Sequence, residues 1–396
     1  MADTSFPHPN GILHEESIGK GRPLKAAIIG GSLDGLYAGL ALIAIGCDVE
    51  IYEQPVEIPP DHGGWLITQN EMDVFLAQHG IAIGEAAGIT SWIRQRIDLY
   101  GNLLNREAAF RKYVAWDTLY HQLRRIFPKE LYHTGSRLAA LDQEAGNVQA
   151  RFEDGREVIC DLLVGADGIL SDCRNILLPG LSPEYAGYMA WRGTAPEKAL
   201  RERTVNFLGE KHTLYQGYRM QMISCMIPGP NGETEVGERR IAWEWYVNVP
   251  EGDPLRDVMT GRSGQLREMM IGSENLREEI QEKQIQMARA LLPPMFLELF
   301  EQTEKISVRK IIDLAVPQMV FGRACLIGEA AFILRPHAIL ESATITSDAI
   351  TLAQGLQEYK RNVVAALKAW EPERLAQGRR LQLWGKALGN QAMQMR

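Results

Sequence analysis

The sequence predicts an α/β fold: a parallel, nucleotide-binding sheet split along the chain, a β-rich unit inserted into it, and a helical C-terminus. Three observations predict it. Lys25–Gly30 (KAAIIG) is a short apolar run ending in glycine, then Leu36, Leu40 and Ile43 recur at helical spacing, then Asp48–Glu53 (DVEIYE) alternates as a strand. That is a βαβ opening, whose right-handed crossover makes the two strands parallel neighbours. Two more buried-strand runs, Asp161–Gly165 (DLLVG) and Arg323–Gly328 (RACLIG), return far downstream. Between them the texture changes to long strands rich in aromatic residues.

The elements follow in order. Residues 1–24 are polar and carry Pro7, Pro9 and Pro23 without an apolar stretch behind a basic start, so they read as a surface arm, not a secretory signal. Helical periodicity occupies Gly35–Gly46, Glu71–His79 and Trp116–Phe127. Gln143–Val158 reads as a hairpin turning at Glu153-Asp154-Gly155. Tyr188–Arg192, Gln221–Ile227 and Arg240–Val249 read as strands; in the last, Ile241, Trp243, Trp245 and Val247 share one face and Ala242, Glu244, Tyr246 and Asn248 the other. Asp253–Leu292 is charged and helical, and helix dominates from Ser347 onward.

Composition excludes several classes of function. Of 396 residues, 42 are Lys or Arg and 50 are Asp or Glu, a net charge of −8 with no basic block, which speaks against nucleic-acid or anionic-membrane partners. The five cysteines (Cys47, Cys160, Cys173, Cys225, Cys325) are scattered and form no CxxC pair, so neither a disulfide framework nor a metal site is expected. The most apolar window, Ala26–Cys47, is broken by Gly30, Gly31, Ser32, Asp34 and Gly35, too polar for an integral membrane segment. A reduced, cytoplasmic protein acting on a small molecule is the resulting expectation.

Gly30-Gly31-Ser32-Leu33-Asp34-Gly35 lies between the first strand and its helix, where glycine permits a tight turn and the helix N-terminus offers N–H groups to a diphosphate. Glu53 ends the second strand, where a carboxylate can accept from a ribose hydroxyl. The bland alternative is an ordinary βα turn with a surface glutamate.

Asp161-Leu-Leu-Val-Gly-Ala-Asp167-Gly168, followed by Arg174, makes the pattern specific. It resembles the second motif of the FAD-dependent aromatic hydroxylases, the para-hydroxybenzoate hydroxylase class of group A flavoprotein monooxygenases. Leu326-Ile-Gly328-Glu329-Ala330-Ala331 followed by Arg335-Pro336-His337 resembles the third. The GGSxxG form, the Tyr185–Gly193 stretch, Trp243-Glu-Trp-Tyr246-Val-Asn248 and Arg-Pro-His are similar to the 2,6-dihydroxypyridine 3-monooxygenase-like branch.

The resemblance implies a Rossmann-like FAD-binding domain over 25–181 and 306–345, a β-rich substrate domain over 182–305, and C-terminal helices over 346–396. It implies FAD as cofactor, NAD(P)H as a transient reductant, O2 as oxidant, an aromatic or polyketide-like substrate, and a homodimer as the family default. By position, Gly30, Ser32, Leu33, Gly35 and Glu53 hold the ADP half. Asp167 and Arg174 flank the diphosphate, Gly328 and Glu329 face the ribityl chain, and Pro336 lies beside the flavin ring. His337 is the candidate base, with a hydrogen-bonded structural histidine as the alternative. Trp65, Trp191, Trp243, Trp245 and Tyr246 are candidates for an aromatic substrate wall, sheet core being the alternative for at least half of them.

Four positions depart from the family pattern. Asp34 puts a carboxylate beside the diphosphate, Trp65 replaces a small residue against the ring, Glu329 replaces an aspartate, and Glu341-Ser342 replaces a Gly-Thr pair. Together they raise a second expectation: the fold is kept, FAD use is impaired or lost, and the chain catalyses a redox-neutral cyclisation, isomerisation, rearrangement or hydrolysis. A degenerate, purely binding paralogue is a third reading, without a sequence feature in its favour.

Overall fold

The structure, a computed structural model, describes residues 22–54, 64–81, 88–144, 146–338 and 341–395, with backbone alone for 338 and 341–345. Residues 1–21 of the expected arm lie outside the described residues.

The parallel sheet orders its strands Val320–Phe321, Ala324–Leu326, Leu162–Gly165, Lys25–Ile29, Asp48–Tyr52 and Tyr132–His133. Every neighbouring pair is parallel except the hairpin at the Val320 edge. The three runs picked out in the sequence are therefore adjacent: Ile28 pairs with both Ile51 and Val164, and Val164 with Cys325. Each is apolar because each is buried on both faces, with Ile28, Ile51, Leu163 and Leu326 fully enclosed. The Leu33–Ala44 helix packs on this sheet and against the Glu341–Glu358 helix.

The second large sheet runs Met270–Ile271, Ser307–Ala315, Glu184–Pro196, Arg240–Asn248, Met220–Ile227, Lys211–Gly217, Ile89–Ile97, Leu103–Ala115 and Trp65–Ile67, with Phe332–Ile333 paired off its path. This corrects the expected boundaries of the β-rich unit. Three of its strands (65–67, 89–97, 103–115) come from before residue 181, and Ser307–Ala315 comes from after 305. The reason is pairing: Ile89–Ile97 lies parallel to Lys211–Gly217, and Ser307–Ala315 lies antiparallel to Glu184–Pro196. Asp253–Leu292 is not continuous helix either; two helices, Asp253–Met259 and Glu278–Leu291, flank the short Met270–Ile271 strand. The hairpin of Val148–Phe152 and Glu157–Cys160 turns where expected and gains Leu138–Gln143 as a third strand.

One face of the large sheet is core. Met189, Trp191, Met222, Ile241, Trp243 and Trp245 point from it into Leu255, Ile280, Phe296, Leu299 and Phe300 of the covering helices. The opposite face looks toward the parallel sheet. The last helix, Val363–Ala392, is fastened across it by a buried ion pair, with Arg335 Nε and Nη2 at 2.8 and 2.6 Å from Asp313 and Arg335 Nη1 at 2.8 Å from Asn390 Oδ1.

Trp243 is 1% exposed, donates from Nε1 to Thr303 Oγ1 at 2.8 Å and packs on Phe300. Trp243→Ala is expected to lower the unfolding free energy by ~3–5 kcal/mol in urea titrations followed by circular dichroism. FAD affinity of the folded protein is expected to stay unchanged.

Candidate active site

The nucleotide motif folds as it does because side chains are excluded from it. Gly30 has φ +101°, and a Cβ there would sit 2.3 Å from the Ala166 carbonyl oxygen; a Cβ on Gly35 would sit 1.9 Å from the Gly30 carbonyl oxygen. The loop is thereby clamped between the second motif and its own helix. Ser32 is the N-cap of that helix and keeps its hydroxyl uncommitted to the helix, leaving first-turn N–H groups for a ligand. Glu53 accepts from the Gly31 N–H at 2.5 Å, and burial raises its pKa against that bond.

These residues line a cavity of about 420 Å³. It runs from Gly30, Ser32, Leu33 and Glu53 past Asp167 and Gly168 to Gly328, Glu329 and Pro336, so the three sequence motifs meet on one cleft. Asp167 shapes its own loop by accepting from the Ser171 hydroxyl at 2.5 Å and the Cys173 N–H at 2.9 Å, while burial raises its pKa. Glu329 is also shifted up by burial, opposed by Arg309, Arg192 and Arg174.

Two nucleotide-site expectations change. Gly35 lies behind the cavity wall, where it sets the close approach of helix to loop. Arg174 is 1% exposed and does not reach the cleft. Its guanidinium donates to the carbonyls of Ile169 (2.6 Å), Ala330 (3.1 Å) and Glu329 (3.4 Å), stapling the second motif to the third.

A second cavity of about 540 Å³ opens on the same sheet face. Pro336 lines both cavities and His337 only the second. Its floor is built by strand alternation: Arg94 and Arg96 from Ile89–Ile97, His212, Leu214 and Gln216 from the next strand, Gln221 and Ile223 from the third, and Tyr246 from the fourth. Leu388, Gln391 and Ala392 of the last helix close it, with Gln216 Nε2 donating to the Ala392 carbonyl at 2.7 Å. Tyr246 donates to the Glu244 carboxylate, and Glu244 lines the first cavity, so one hydrogen bond joins the two.

The aromatic wall is smaller than expected. Trp191, Trp243 and Trp245 belong to the core on the opposite sheet face, because odd-numbered positions of these strands point away from the cavities. Tyr246 lines the second cavity and Trp65 the first. The Trp65 indole is half-buried, edge-on to Tyr113 at 5.4 Å and His212 at 6.4 Å.

A family model described as FAD binding domain-like matches residues 185–313. The 2,6-dihydroxypyridine 3-monooxygenase of Paenarthrobacter nicotinovorans is 31% identical over 356 residues, 89% of this chain and 88% of that enzyme. The chain belongs to the FAD-dependent aromatic hydroxylases. The solved 2,6-dihydroxypyridine-3-hydroxylase of Arthrobacter nicotinovorans superposes with a TM-score of 0.88 at 29% identity, covering 94% of this chain and 93% of that one. The Klebsiella pneumoniae protein HpxO, solved with FAD and uric acid, shares the fold with a TM-score of 0.75 at 20% identity, covering 93% and 89% of the two chains.

FAD is the cofactor of this family, and the residues present fit it. Gly30 lines the cleft in a turn that no Cβ could enter, Glu53 faces the same cleft, and the space continues to Pro336. Trp65 forms wall and leaves that continuation open, which removes the steric ground for a vacated cleft. Asp34 is the residue that fits least. Its carboxylate lies 3.4 Å from the Glu329 N–H, and a Cβ on Gly328 would be 2.2 Å from its carboxyl carbon. The side chains of Glu341 and Ser342 lie outside the described residues.

Sequence reasoning missed Arg94, Arg96, Tyr113 and His212. The signal was present: Arg94-x-Arg96-x-Asp98 alternates with Ile93, Gln95 and Ile97 ahead of a Gly101-Asn102 turn. The His337 expectation also shifts. Both its ring nitrogens are buried without a partner among the described residues, and burial pushes its pKa down to about 3, so it is a neutral hydrogen-bonding group and not a base that holds a proton near neutrality.

Asp34→Ser is expected to tighten FAD binding about tenfold by removing a like charge beside the diphosphate, read by quenching of flavin fluorescence. Burial likewise holds His212 at a pKa of about 3. An unfolded histidine ionises near 6.5, so stability is full above that pH and falls as pH drops toward 3, by at most about 1.4 kcal/mol per pH unit per histidine. The stability gap between the parent and His337→Asn is therefore expected to shrink on acidification from pH 7 to pH 4, measured by urea midpoints.

Proposed function

We propose that the chain is a monooxygenase that hydroxylates a small, planar, electron-rich ring held in the second cavity, with NAD(P)H as reductant. The observation that carries this reading is the meeting of two chambers at Pro336, one lined by the three nucleotide motifs and the other by His212, Tyr246 and His337. Gly30, Ser32 and Leu33 hold the diphosphate end, Glu53 the adenosine ribose, and Gly328 and Glu329 the ribityl side. Asp167 acts indirectly, by fixing the loop that carries Gly168. A bound FAD would supply the redox chemistry, linking NAD(P)H oxidation to O2 so that one oxygen atom would enter the ring and the other would leave as water.

The chain's own residues position the ring and keep water away. Tyr246 and His337 stand 4.5 Å apart between ring centroids, their planes tilted by 40°, and form the wall next to Pro336. The unpartnered ring nitrogens of His337 give a heteroaromatic substrate its orientation, while Leu214, Ile223 and Leu388 exclude solvent. A cytoplasmic site of action belongs to the same proposal, since all five cysteines are buried free thiols, as a reducing compartment permits.

The test is aerobic turnover of the FAD-loaded protein with NADH or NADPH and 2,6-dihydroxypyridine or salicylate. The expected result is faster reductant consumption with a product one oxygen heavier by mass spectrometry. A protein that takes up no FAD, or converts a ring compound without consuming reductant, overturns the reading. His337→Asn is expected to raise KM and to uncouple reductant consumption from product by about tenfold, read as the ratio of product formed to NAD(P)H oxidised.

A further inference from the structure

The second cavity is longer than one ring. Its lining crosses five neighbouring strands in order: Tyr246 on Arg240–Asn248, Ile223 on Met220–Ile227, Leu214 on Lys211–Gly217, Arg96 on Ile89–Ile97 and Leu104 on Leu103–Ala115. Four inter-strand steps separate the first strand from the last, roughly 19 Å, several times the width of a single aromatic ring. Pro336, shared with the first cavity, marks the end where a reacting ring stands, beside Tyr246 and His337. A ring held there leaves the Leu104 end unfilled.

The unfilled part offers apolar surface. Ile223, Leu214 and Arg96 are successive register partners, so they form one rank straight across the sheet. Arg96 is exposed, so its charged head stays in water while its stem lines the cavity. The polar side chains of the next rank are committed to one another and to the backbone. Gln216 Nε2 donates to the carbonyls of Ala392 (2.7 Å) and Met220 (2.8 Å), and Gln216 Oε1 accepts from Gln221 Nε2 at 3.0 Å. Asp98, near the mouth, accepts from the N–H groups of Tyr100 (2.9 Å) and Asn102 (2.8 Å) in its own turn. At the mouth itself Leu99 is 40% exposed and Leu104 66%. Isolated surface leucines are ordinary, but these two open onto the same cavity as Leu388 of the last helix. One cavity thus joins the ring end to apolar area still in water.

We infer that the substrate ring carries an apolar extension, an alkyl chain of about pentyl length or longer, that lies across the Ile223–Leu214–Arg96 rank and reaches the Leu99–Leu104 rim. This rests on the proposed monooxygenase reading, which sets the ring at Pro336, and it names the substrate class. The chain supplies affinity, since each methylene laid on Leu214, Ile223 and Leu388 leaves water. It also supplies orientation, because a chain threaded toward the rim turns one fixed edge of the ring to Pro336.

The test titrates FAD-loaded protein with resorcinol and with its methyl, propyl, pentyl and heptyl derivatives, alkylated para or meta to a hydroxyl, followed by flavin absorbance. One of the two series is expected to tighten about threefold per methylene as far as pentyl. Leu214→Phe narrows the middle of the floor, and Leu104→Asp puts a charge at the rim without touching the core. Each is expected to cut the resorcinol-to-pentylresorcinol Kd ratio about tenfold; the ratio is taken within one protein, so a general loss of fold cancels. Affinity independent of chain length, or a chain-length gain that neither substitution alters, overturns the inference. So does a lower sedimentation coefficient for Leu104→Asp with the parent's ratio kept, which assigns the rim to a second copy of the chain. A protein that takes up no FAD fails the monooxygenase reading instead, and tryptophan fluorescence of the protein as purified then follows the same series to the same outcomes.

Discussion

Strand alternation in the large sheet is the constraint on which the site depends. Pairing of Glu184–Pro196 with Arg240–Asn248 places Trp191 opposite Trp245 and Arg192 opposite Glu244. One register thus sends three tryptophans into the helical layer and sends Arg192, Glu244 and Tyr246 to the cavities. A slip of one residue would exchange the two sets, burying two charges in an apolar layer and opening three indoles to the cleft. The aromatic core therefore acts on function through register: it holds the polar face in place without touching a ligand.

The third motif is fixed with comparable economy. Asp348, on the helix following it, accepts from the Gly328 N–H at 3.1 Å and from Arg374 Nε at 2.8 Å, joining both C-terminal helices to the cavity rim. Arg174 holds the other side of the same turn through the Ala330 and Glu329 carbonyls. Buried ion pairs of this kind contribute little net stability but cost several kcal/mol when one partner is removed. Their value here is positional, since Gly328, Glu329 and Pro336 must face the cleft together.

Much of this was legible in the sequence because it is local. Gly30, Glu53, Asp167 and Gly328 each end or follow a short apolar run, and a parallel sheet brings such ends to one edge. The chambers themselves were not legible. Arg94 and His212 are joined by a parallel pairing between strands far apart in sequence, which no hairpin turn signals. Arg174 shows the opposite failure: the motif position was recognised, but its three carbonyl partners come from two loops whose approach only the fold determines. Tryptophans at Trp243 and Trp245 look alike in sequence whether they wall a pocket or fill a core, and parity relative to Tyr246 separates the two only once the site's face is known.

The two chambers differ in electrostatic design, and the difference fits their occupants. The first is rich in carboxylates: Asp34, Glu53, Asp167 and Glu329 all line it. A diphosphate there depends on backbone N–H groups and the helix N-terminus, with little help from side-chain cations. Burial eases the conflict, because it raises the pKa values of Glu53, Asp167 and Glu329 and so weakens their repulsion of an anionic cofactor. The second chamber reverses the balance, with arginines around a histidine held neutral. A group held neutral among cations is poorly suited to take a proton. On this account the acidic departures in the nucleotide motifs weaken the hold on FAD without abolishing its site, and substrate selection falls to a part of the sheet that the motifs do not include.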